Sequence, residues 1–482
     1  MNKKKILAVF AALMMLTSGL VQGAPTPSPS ASPSATEKAD KKEDKKDDKK
    51  DSKKEDNKDD KESKDKKEEK DENILPEPNC EAAILIDQKS GDILYEKNKS
   101  KKMYPASTTK IMTAVLALEE GDLSSPVTIT KEMLADITNK HSHMGLKVGE
   151  TLTLEQLLYG MLVYSANDAA NAIGVHIAGN LDDFRDMMND KAHDLKMKGT
   201  HYENPHGFHD DNHYTTAEDL ATLARYAMKI EKFAEIVKTT TYRIPANDFY
   251  TEERVLSTTN HLISRYRNTN YIYKYATGIK TGFTDEAGNC LVSSASKNNI
   301  DLICVILKAK ELEDNVLHAF ADSTDLYEYI FKNYKYHKIA AVNDVISDSA
   351  VYEAKDNVRV ALAPAEDVEK LIPANVDINS IVTDIKLNEN IKAPIKKGEV
   401  MGSVSYILDG KVIATTELIA ENNVKHDKLL AVIHFIGKIL TSPLFFIPAI
   451  IIIALMISSN NKRRKRRRQR RNKLKYTQTR KY

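Results

Sequence analysis

The chain has 482 residues, which is enough for two or three folded domains of ordinary size. Its formal net charge is only +2, but thirteen Lys and Arg after residue 460 and three Lys near the start leave the rest of the chain acidic by fourteen charges. An acidic body argues against a nucleic-acid-binding domain, so the basic tail needs another explanation. Three cysteines are too few for a disulfide-framed domain, so the core must depend on apolar burial.

Residues 1–23 have the layout of a secretory signal peptide. Three lysines give a positive start, residues 6–21 are apolar, and the small residues Gly23 and Ala24 follow. We predict cleavage after Gly23, because Pro25 would lie just past a later cleavage point; an uncleaved anchor is the alternative. The rest of the chain is therefore expected outside the cytoplasm.

Residues 24–73 are first rich in Pro and Ser and then consist almost entirely of Lys, Asp and Glu. With no apolar residues to bury, such a segment cannot offset the entropy cost of ordering and is predicted to be disordered. About 50 flexible residues reach roughly 40 Å. The segment is therefore a spacer, a tail that contacts a charged wall, or a solvated tail without a specific partner.

Residues 74–338 are predicted to form the first folded domain. Pro105 precedes a stretch in which Ile111, Val115 and Leu118 recur at helical spacing, and Pro suits the first turn of a helix. Helices in the middle and strands at both ends indicate a sheet that is completed late in the sequence. The predicted elements are strands at 82–87 and 93–95, helices at 106–120, 154–178, 182–195 and 216–229, and strands at 289–296 and 300–307.

Two of the three cysteines, Cys290 and Cys304, lie in the last two predicted strands of this domain. A bridge across that hairpin is one possibility. Burial of both as small apolar residues is the other.

Residues 339–425 contain short β-rich runs separated by Gly-containing turns, which indicates a small all-β module without a reactive site. Residues 426–438 form an apolar stem, either a helix that lies at a membrane surface or an ordinary linker.

Residues 439–459 carry no charge and form a predicted transmembrane helix. About 20 residues at a rise of about 1.5 Å each cross a hydrocarbon layer roughly 30 Å thick. The basic residues of 460–482 follow at once, so the positive-inside tendency places this tail in the cytoplasm and the preceding domains outside. We therefore expect a single-pass protein of the cell membrane, and no nucleic-acid partner.

Ser107 and Lys110 lie three residues apart at the start of a predicted helix, and therefore on one face of it. Ser is a weak nucleophile unless a neighbour takes its proton. Lys can do so only when burial or nearby positive charge lowers its pKa from about 10.4. Alone, this pair is weak evidence for catalysis.

Two further motifs strengthen that evidence. Ser165 and Asn167 occur inside an apolar helical pattern, where buried polar side chains are costly without partners. Lys280 and Thr281 precede Gly282, which allows a ligand to approach the backbone. The order Ser-x-x-Lys, Ser-x-Asn, Lys-Thr-Gly is the signature of penicillin-binding proteins and class A β-lactamases.

The chain resembles the low-molecular-mass penicillin-binding proteins that act as D-alanyl-D-alanine carboxypeptidases. The resemblance covers roughly residues 80–335 and extends beyond the three triplets to the sequences PASTTK at 105–110, SANDAA at 165–170, NPHG at 204–207 and GIKTGFT at 278–284. It implies an α/β fold of the β-lactamase/transpeptidase type, with a five-stranded antiparallel sheet flanked by helices. The later β module resembles the C-terminal domain of the same group.

The resemblance also implies a reaction: release of the terminal D-alanine from peptidoglycan stem peptides, with penicillins as covalent inhibitors. Ser107 would attack the carbonyl between the two D-alanines, with Lys110 as its base. Ser165 would relay the proton to the leaving D-alanine, and Asn167 would hold the substrate backbone.

The same resemblance assigns residues to substrate binding. Lys280 and Thr281 would bind the terminal carboxylate through charge-assisted contacts. The N–H groups of Ser107 and Phe283 would form the oxyanion hole, which often contributes about 3 kcal/mol or more. The cation of Lys280 would also help to keep Lys110 neutral.

Two alternatives remain. A class A β-lactamase requires a Glu-bearing loop that positions the deacylating water, and Glu203 precedes Asn204-Pro205-His206-Gly207, the carboxypeptidase pattern, rather than lying in such a loop. The other alternative is a catalytically silent peptidoglycan-binding scaffold. No metal or other cofactor is expected, because the histidines are not accompanied by a carboxylate or thiolate set at a recurrent ligand spacing.

Overall fold

The computed structural model describes residues 74–138, 141–310 and 314–478. The predicted signal peptide and the charged segment 24–73 lie outside the described residues.

The region before residue 340 contains ten strands and seven α-helices among the described residues. In chain order they are β1 (Cys80–Asp87), β2 (Ile93–Lys97), α1 (Lys110–Glu120), β3 (Pro126–Thr128), β4 (Thr151–Thr153), α2 (Leu154–Val163), α3 (Asn167–Ala178), α4 (Leu181–Asp194), α5 (Ala217–Ala227), α6 (Glu231–Lys238), β5 (Thr241–Ile244), β6 (Arg254–Ser257), β7 (Ala276–Thr284), β8 (Gly288–Lys297), β9 (Ile300–Ala309), α7 (His318–Asn333) and β10 (Tyr334–Ala340).

Five strands form one antiparallel sheet in the order β2-β1-β9-β8-β7. Its two faces are buried in different cores, because successive side chains of a strand point to opposite faces. In β9, Ile303 and Val305 pack into the core shared with helices α1 to α6, whereas Leu302 and Ile306 pack against α7. The predicted fold, a five-stranded antiparallel sheet flanked by helices, is confirmed, and β7 lies at one edge of the sheet.

The two faces also separate the cysteines. Cys290 belongs to the core on the side of α1 to α6, and Cys304 belongs to the core on the side of α7. In the register of β8 and β9, Cys304 lies opposite Ser293. Both cysteines, like Cys80, are buried free thiols. A bridge between side chains on opposite faces of a sheet would require the strands to rearrange.

The predicted helix 154–178 is wrong as a single element. It is two helices, α2 and α3, and Ser165 between them has a left-handed backbone with φ of +68°. The Asn167 N–H donates to the Ser142 carbonyl at 2.9 Å instead of continuing a helical ladder. A tertiary hydrogen bond therefore overrides the continuous apolar pattern and places Ser165 at the end of a helix, where its side chain can face a cleft.

The β module contains β11 (Ser347–Ser349), β12 (Val360–Pro364), β13 (Val368–Pro373), β14 (Val382–Leu387), β15 (Val400–Leu408) and β16 (Lys411–Ala420). Its main sheet has the order β11-β12-β16-β15-β14, and β13 pairs with β10. The module has an apolar core of its own, which includes Val360, Leu362, Val404 and Leu418. The predicted all-β character is confirmed.

Two helices complete the described chain, α8 (Lys428–Thr441) and α9 (Pro443–Gln478). Among the described residues, the stretch Lys428–Asn472 is the one helical region long and apolar enough to cross a membrane, and it is not buried in the protein. Side chains such as Leu444 and Leu455 are largely exposed. Such a surface is stable only when lipid or protein covers it, and this helix therefore points to membrane anchoring.

Candidate active site

Ser107 lies in a 3₁₀ turn, Ala106–Thr109, that leads directly into α1, whose first residue is Lys110. Lys110 is completely buried. Its Nζ donates hydrogen bonds to Ser107 Oγ at 2.8 Å and to the His206 carbonyl at 2.7 Å. The helical turn thus brings the hydroxyl and the amine into contact, as their spacing predicts.

The environment of Lys110 favours the neutral amine. Burial lowers the pKa of Lys110 well below its ordinary value, and the nearby cation of Lys280 lowers it further, against the opposing effect of Asp168. A neutral amine 2.8 Å from a hydroxyl can accept the hydroxyl proton. This pair is therefore suited to nucleophilic catalysis.

Lys280 extends from β7 to the other side of the same site. It is 1% exposed, and its Nζ donates to Ser165 Oγ at 2.9 Å and to the Thr281 carbonyl at 2.9 Å. Burial and the nearby Arg267 lower the pKa of Lys280 to about 7. Two lysines separated by 170 positions thus each contact a serine, and both serines line the same cleft.

A cleft of about 700 Å³ connects these groups. Its lining includes Ser107, Ser165, Thr281, Gly282 and Phe283, all of which lie in or beside the predicted motifs. The Thr281 hydroxyl is 2.6 Å from that of Thr259.

Asn167, like Lys110 and Lys280, is buried and is not among the residues that line the cleft; it is 4% exposed. Its Oδ1 has no hydrogen-bond partner among the described residues, so a buried acceptor remains available. The next residue, Asp168, accepts the N–H groups of Met144 at 3.1 Å and Leu146 at 2.9 Å. Asp168 therefore fixes the loop that reaches over α3.

Two glycines allow the Ser107 turn to pack against its neighbours. Gly207 has φ of +89°, and a Cβ there would lie 1.9 Å from the Ala106 carbonyl oxygen. A Cβ on Gly282 would lie 3.0 Å from the Ser107 nitrogen. Ser107 N–H therefore lies close to β7, one residue before Phe283. Two backbone N–H groups on adjoining segments are the usual construction of an oxyanion hole.

His213 helps to hold the Ser107 turn in place through a hydrogen bond to Thr109. Its Nδ1 accepts the Glu203 N–H at 3.2 Å, so its Nε2 carries the hydrogen and donates to Thr109 Oγ1 at 2.9 Å. Burial lowers the pKa of His213 to about 3 and the pKa of His206 well below its ordinary value. Both histidines are therefore neutral at physiological pH, and neither places a positive charge beside Lys110.

Several residues of the cleft lining were not identified from the sequence, among them Ser142, Thr259, His261 and Arg267. Arg267 matters most, because it lies close enough to Lys280 to lower its pKa. Its Nε donates to the Thr258 carbonyl at 3.0 Å. For Thr259, His261 and Arg267, the sequence offered only a polar, Asn-rich region without a recognisable spacing of residues, so their place in the cleft could be found only from the fold.

Comparisons with known proteins agree with this site and fold. The D-alanyl-D-alanine carboxypeptidase family matches residues 67–311, and the C-terminal domain of penicillin-binding protein 5 matches residues 334–426. The D-alanyl-D-alanine carboxypeptidase DacF of Bacillus subtilis is 32% identical over 71% of this chain and 85% of its own length. DacA of Haemophilus influenzae is 30% identical over 72% of this chain and 86% of its own length.

A solved structure gives the same picture. Penicillin-binding protein 5 from Haemophilus influenzae superposes with a TM-score of 0.61 at 29% identity, over 73% of this chain and 99% of its own. Both the sequence match and the superposition include the β module as well as the domain that carries the cleft. The chain therefore belongs to the D-alanyl-D-alanine carboxypeptidase family.

Proposed function

We propose that the chain is a serine-type D-alanyl-D-alanine carboxypeptidase, which removes the terminal D-alanine from peptidoglycan stem pentapeptides through an acyl-enzyme on Ser107. The observation that carries this proposal is the contact of Ser107 Oγ with the buried Lys110 amine at 2.8 Å. Membership of the family supports the proposed reaction, and the contact with Lys110 supports Ser107 as its nucleophile.

Acylation begins when neutral Lys110 takes the Ser107 proton as Oγ attacks the carbonyl between the two D-alanines. The N–H groups of Ser107 and Phe283 stabilise the negative charge on the carbonyl oxygen. The proton then passes from Lys110 through Ser165 to the leaving amine, and the carbon–nitrogen bond breaks. Water next attacks the ester and Lys110 accepts its proton. Lys110 then passes this proton to Ser107 Oγ as the bond between Oγ and the acyl carbon breaks, and the shortened peptide leaves with a free carboxyl end.

The free carboxyl end of the substrate is held at the other end of the cleft. Lys280 and Thr281 bind the terminal carboxylate, and Arg267 adds a second cation beside them. Asn167 contributes the amide that holds the substrate backbone. Recognition of a carboxylate by buried donors explains a preference for chain ends.

Penicillins act as inhibitors at the same site, because they combine a reactive carbonyl with a carboxylate. We expect the acyl group to leave Ser107 slowly, since Glu203 is not in the loop context of a β-lactamase.

The proposed orientation of the chain in the membrane follows from the positive charge of its C-terminal tail. A signal peptide at 1–23 exports the chain, the domains at 74–338 and 339–425 lie outside the cytoplasm, and residues 439–459 span the membrane. The basic tail 460–482 then lies in the cytoplasm, as the positive-inside tendency requires.

The test uses the full-length chain in detergent and two readouts: labelling by a fluorescent penicillin and D-alanine release from a synthetic pentapeptide. Ser107→Ala should abolish both, and Ser405→Ala, in β15 of the β module, should abolish neither. Rapid turnover of penicillin would show a β-lactamase instead, and an unlabelled wild type would show a silent scaffold.

A further inference from the structure

A second groove, of about 620 Å³, lies at the end of the central sheet where β7 ends and β9 ends. We name it the basic groove. Its lining is Cys80, Glu81, Lys97, Asn98, Lys101, Phe283, Asp285, Gly288, Lys308, Ala309 and Lys310. Phe283, Ala309 and Lys310 also line the cleft of Ser107, so the two spaces are neighbours.

The lining carries four lysines and two acids, which leaves a positive surplus. Glu81 contacts both Lys101 and Lys308, the latter at 3.8 Å. Lys97 pairs with Glu77 at 3.1 Å, just outside the lining. Lys310 forms no ion pair with any residue in the described part of the chain. Lys308 and Lys310 therefore have the greatest capacity to bind an anion.

The direction of the substrate connects this groove to the reaction. In the proposed reaction, the carboxyl end of the peptide binds at Lys280 and Thr281, and the carbonyl that reacts binds at the Phe283 N–H. Going from the carboxyl end toward the amino end of the peptide therefore means going along β7 from 281 to 285. Because β7 is an edge strand, an extended peptide can lie beside it. At about 3.3 Å per residue, the residues before the two D-alanines reach the groove.

Those residues are where stem peptides carry their own acids. The second residue of the stem is D-glutamate with a free carboxylate or its amide, and some stems add a carboxylate at the third residue. We propose that the basic groove binds these upstream carboxylates, so that the enzyme prefers stem peptides with free carboxylates over amidated ones. This inference rests on the proposed function and names the substrate within it.

The experiment compares two synthetic pentapeptides that differ only in D-glutamate or its amide at the second residue. The readout is the ratio of their kcat/KM values at low ionic strength, measured with the full-length chain in detergent. Two ion pairs at an exposed rim give a ratio of about tenfold in favour of the free carboxylate. The ratio should approach one in Lys308→Gln/Lys310→Gln and at high salt.

The matched control is Lys386→Gln/Lys411→Gln, two exposed lysines of the β module, which should keep the wild-type ratio. Fluorescent-penicillin labelling of each variant checks that its site is folded. Equal kcat/KM for the two peptides in wild type, or an unchanged ratio in the groove variant, would overturn the inference. Release of D-alanine from neither peptide would instead refute the proposed function.

Discussion

Replacing Lys280 by Gln separates the two roles that we propose for it, binding the substrate carboxylate and keeping Lys110 neutral. Lys280 Nζ already donates to Ser165 Oγ and the Thr281 carbonyl, so one of its three N–H groups remains for the substrate. A hydrogen bond to a charged group contributes about 1.5–3 kcal/mol. We therefore expect Lys280→Gln to lower kcat/KM for a pentapeptide by about 10- to 150-fold.

The second role predicts a change in pH dependence. The Lys280 cation lowers the pKa of Lys110, so its removal raises that pKa. At a given acidic pH more of Lys110 is then protonated and unable to accept the Ser107 proton. The acid limb of kcat/KM, which reports the free enzyme, should move to higher pH.

The assay is the pH profile of kcat/KM for D-alanine release, together with the rate of acylation by penicillin. Thr281→Val is the matched control, because it removes one neutral donor to the carboxylate and no charge. It should lower kcat/KM less and leave the acid limb in place. If Lys280→Gln weakens the reaction but its acid limb coincides with that of the wild type, Lys280 does not control the protonation of Lys110.

Three further predictions concern packing and anchoring. Gly207→Ala should lower the free energy of unfolding, measured by urea titration, by at least about 2 kcal/mol, and it should slow acylation by penicillin. The control is Gly410→Ala, because Gly410 has φ of +76° but lies in open space. This variant should lower the free energy of unfolding by about 1 kcal/mol. Glu150→Ala should lower the free energy of unfolding by about 3–5 kcal/mol in the same titration, because it leaves the Arg254 side chain, which is only 9% exposed, without its ion-pair partner. A loss below about 1 kcal/mol would contradict this. Removal of residues 443–482 should move the protein from the membrane fraction to the soluble fraction on ultracentrifugation, and unchanged sedimentation would refute anchoring by α9.

Much of the fold and the site could be predicted from local sequence patterns. Short apolar runs predicted four of the five strands of the central sheet: β1, β2, β8 and β9. In β1, β8 and β9 these runs are nearly continuous, because both faces of the sheet are buried there. The spacing of Ser107 and Lys110 placed them together because three residues make about one helical turn. The uncharged run 439–459 predicted an apolar C-terminal helix from its length and composition, but the structure ends α8 at Thr441 and begins α9 at Pro443, within that run.

The catalytic properties of those residues depend on the tertiary structure. The helix break at Ser165 comes from a hydrogen bond between Asn167 and Ser142, which no local pattern records. Arg267 reaches Lys280 only through the path of a loop. The pKa of Lys110 depends on burial and on a cation 170 positions away, because desolvation and Coulomb forces act through space and not along the chain. The sequence by itself determined which groups are present, and the packing decided which of them can exchange a proton.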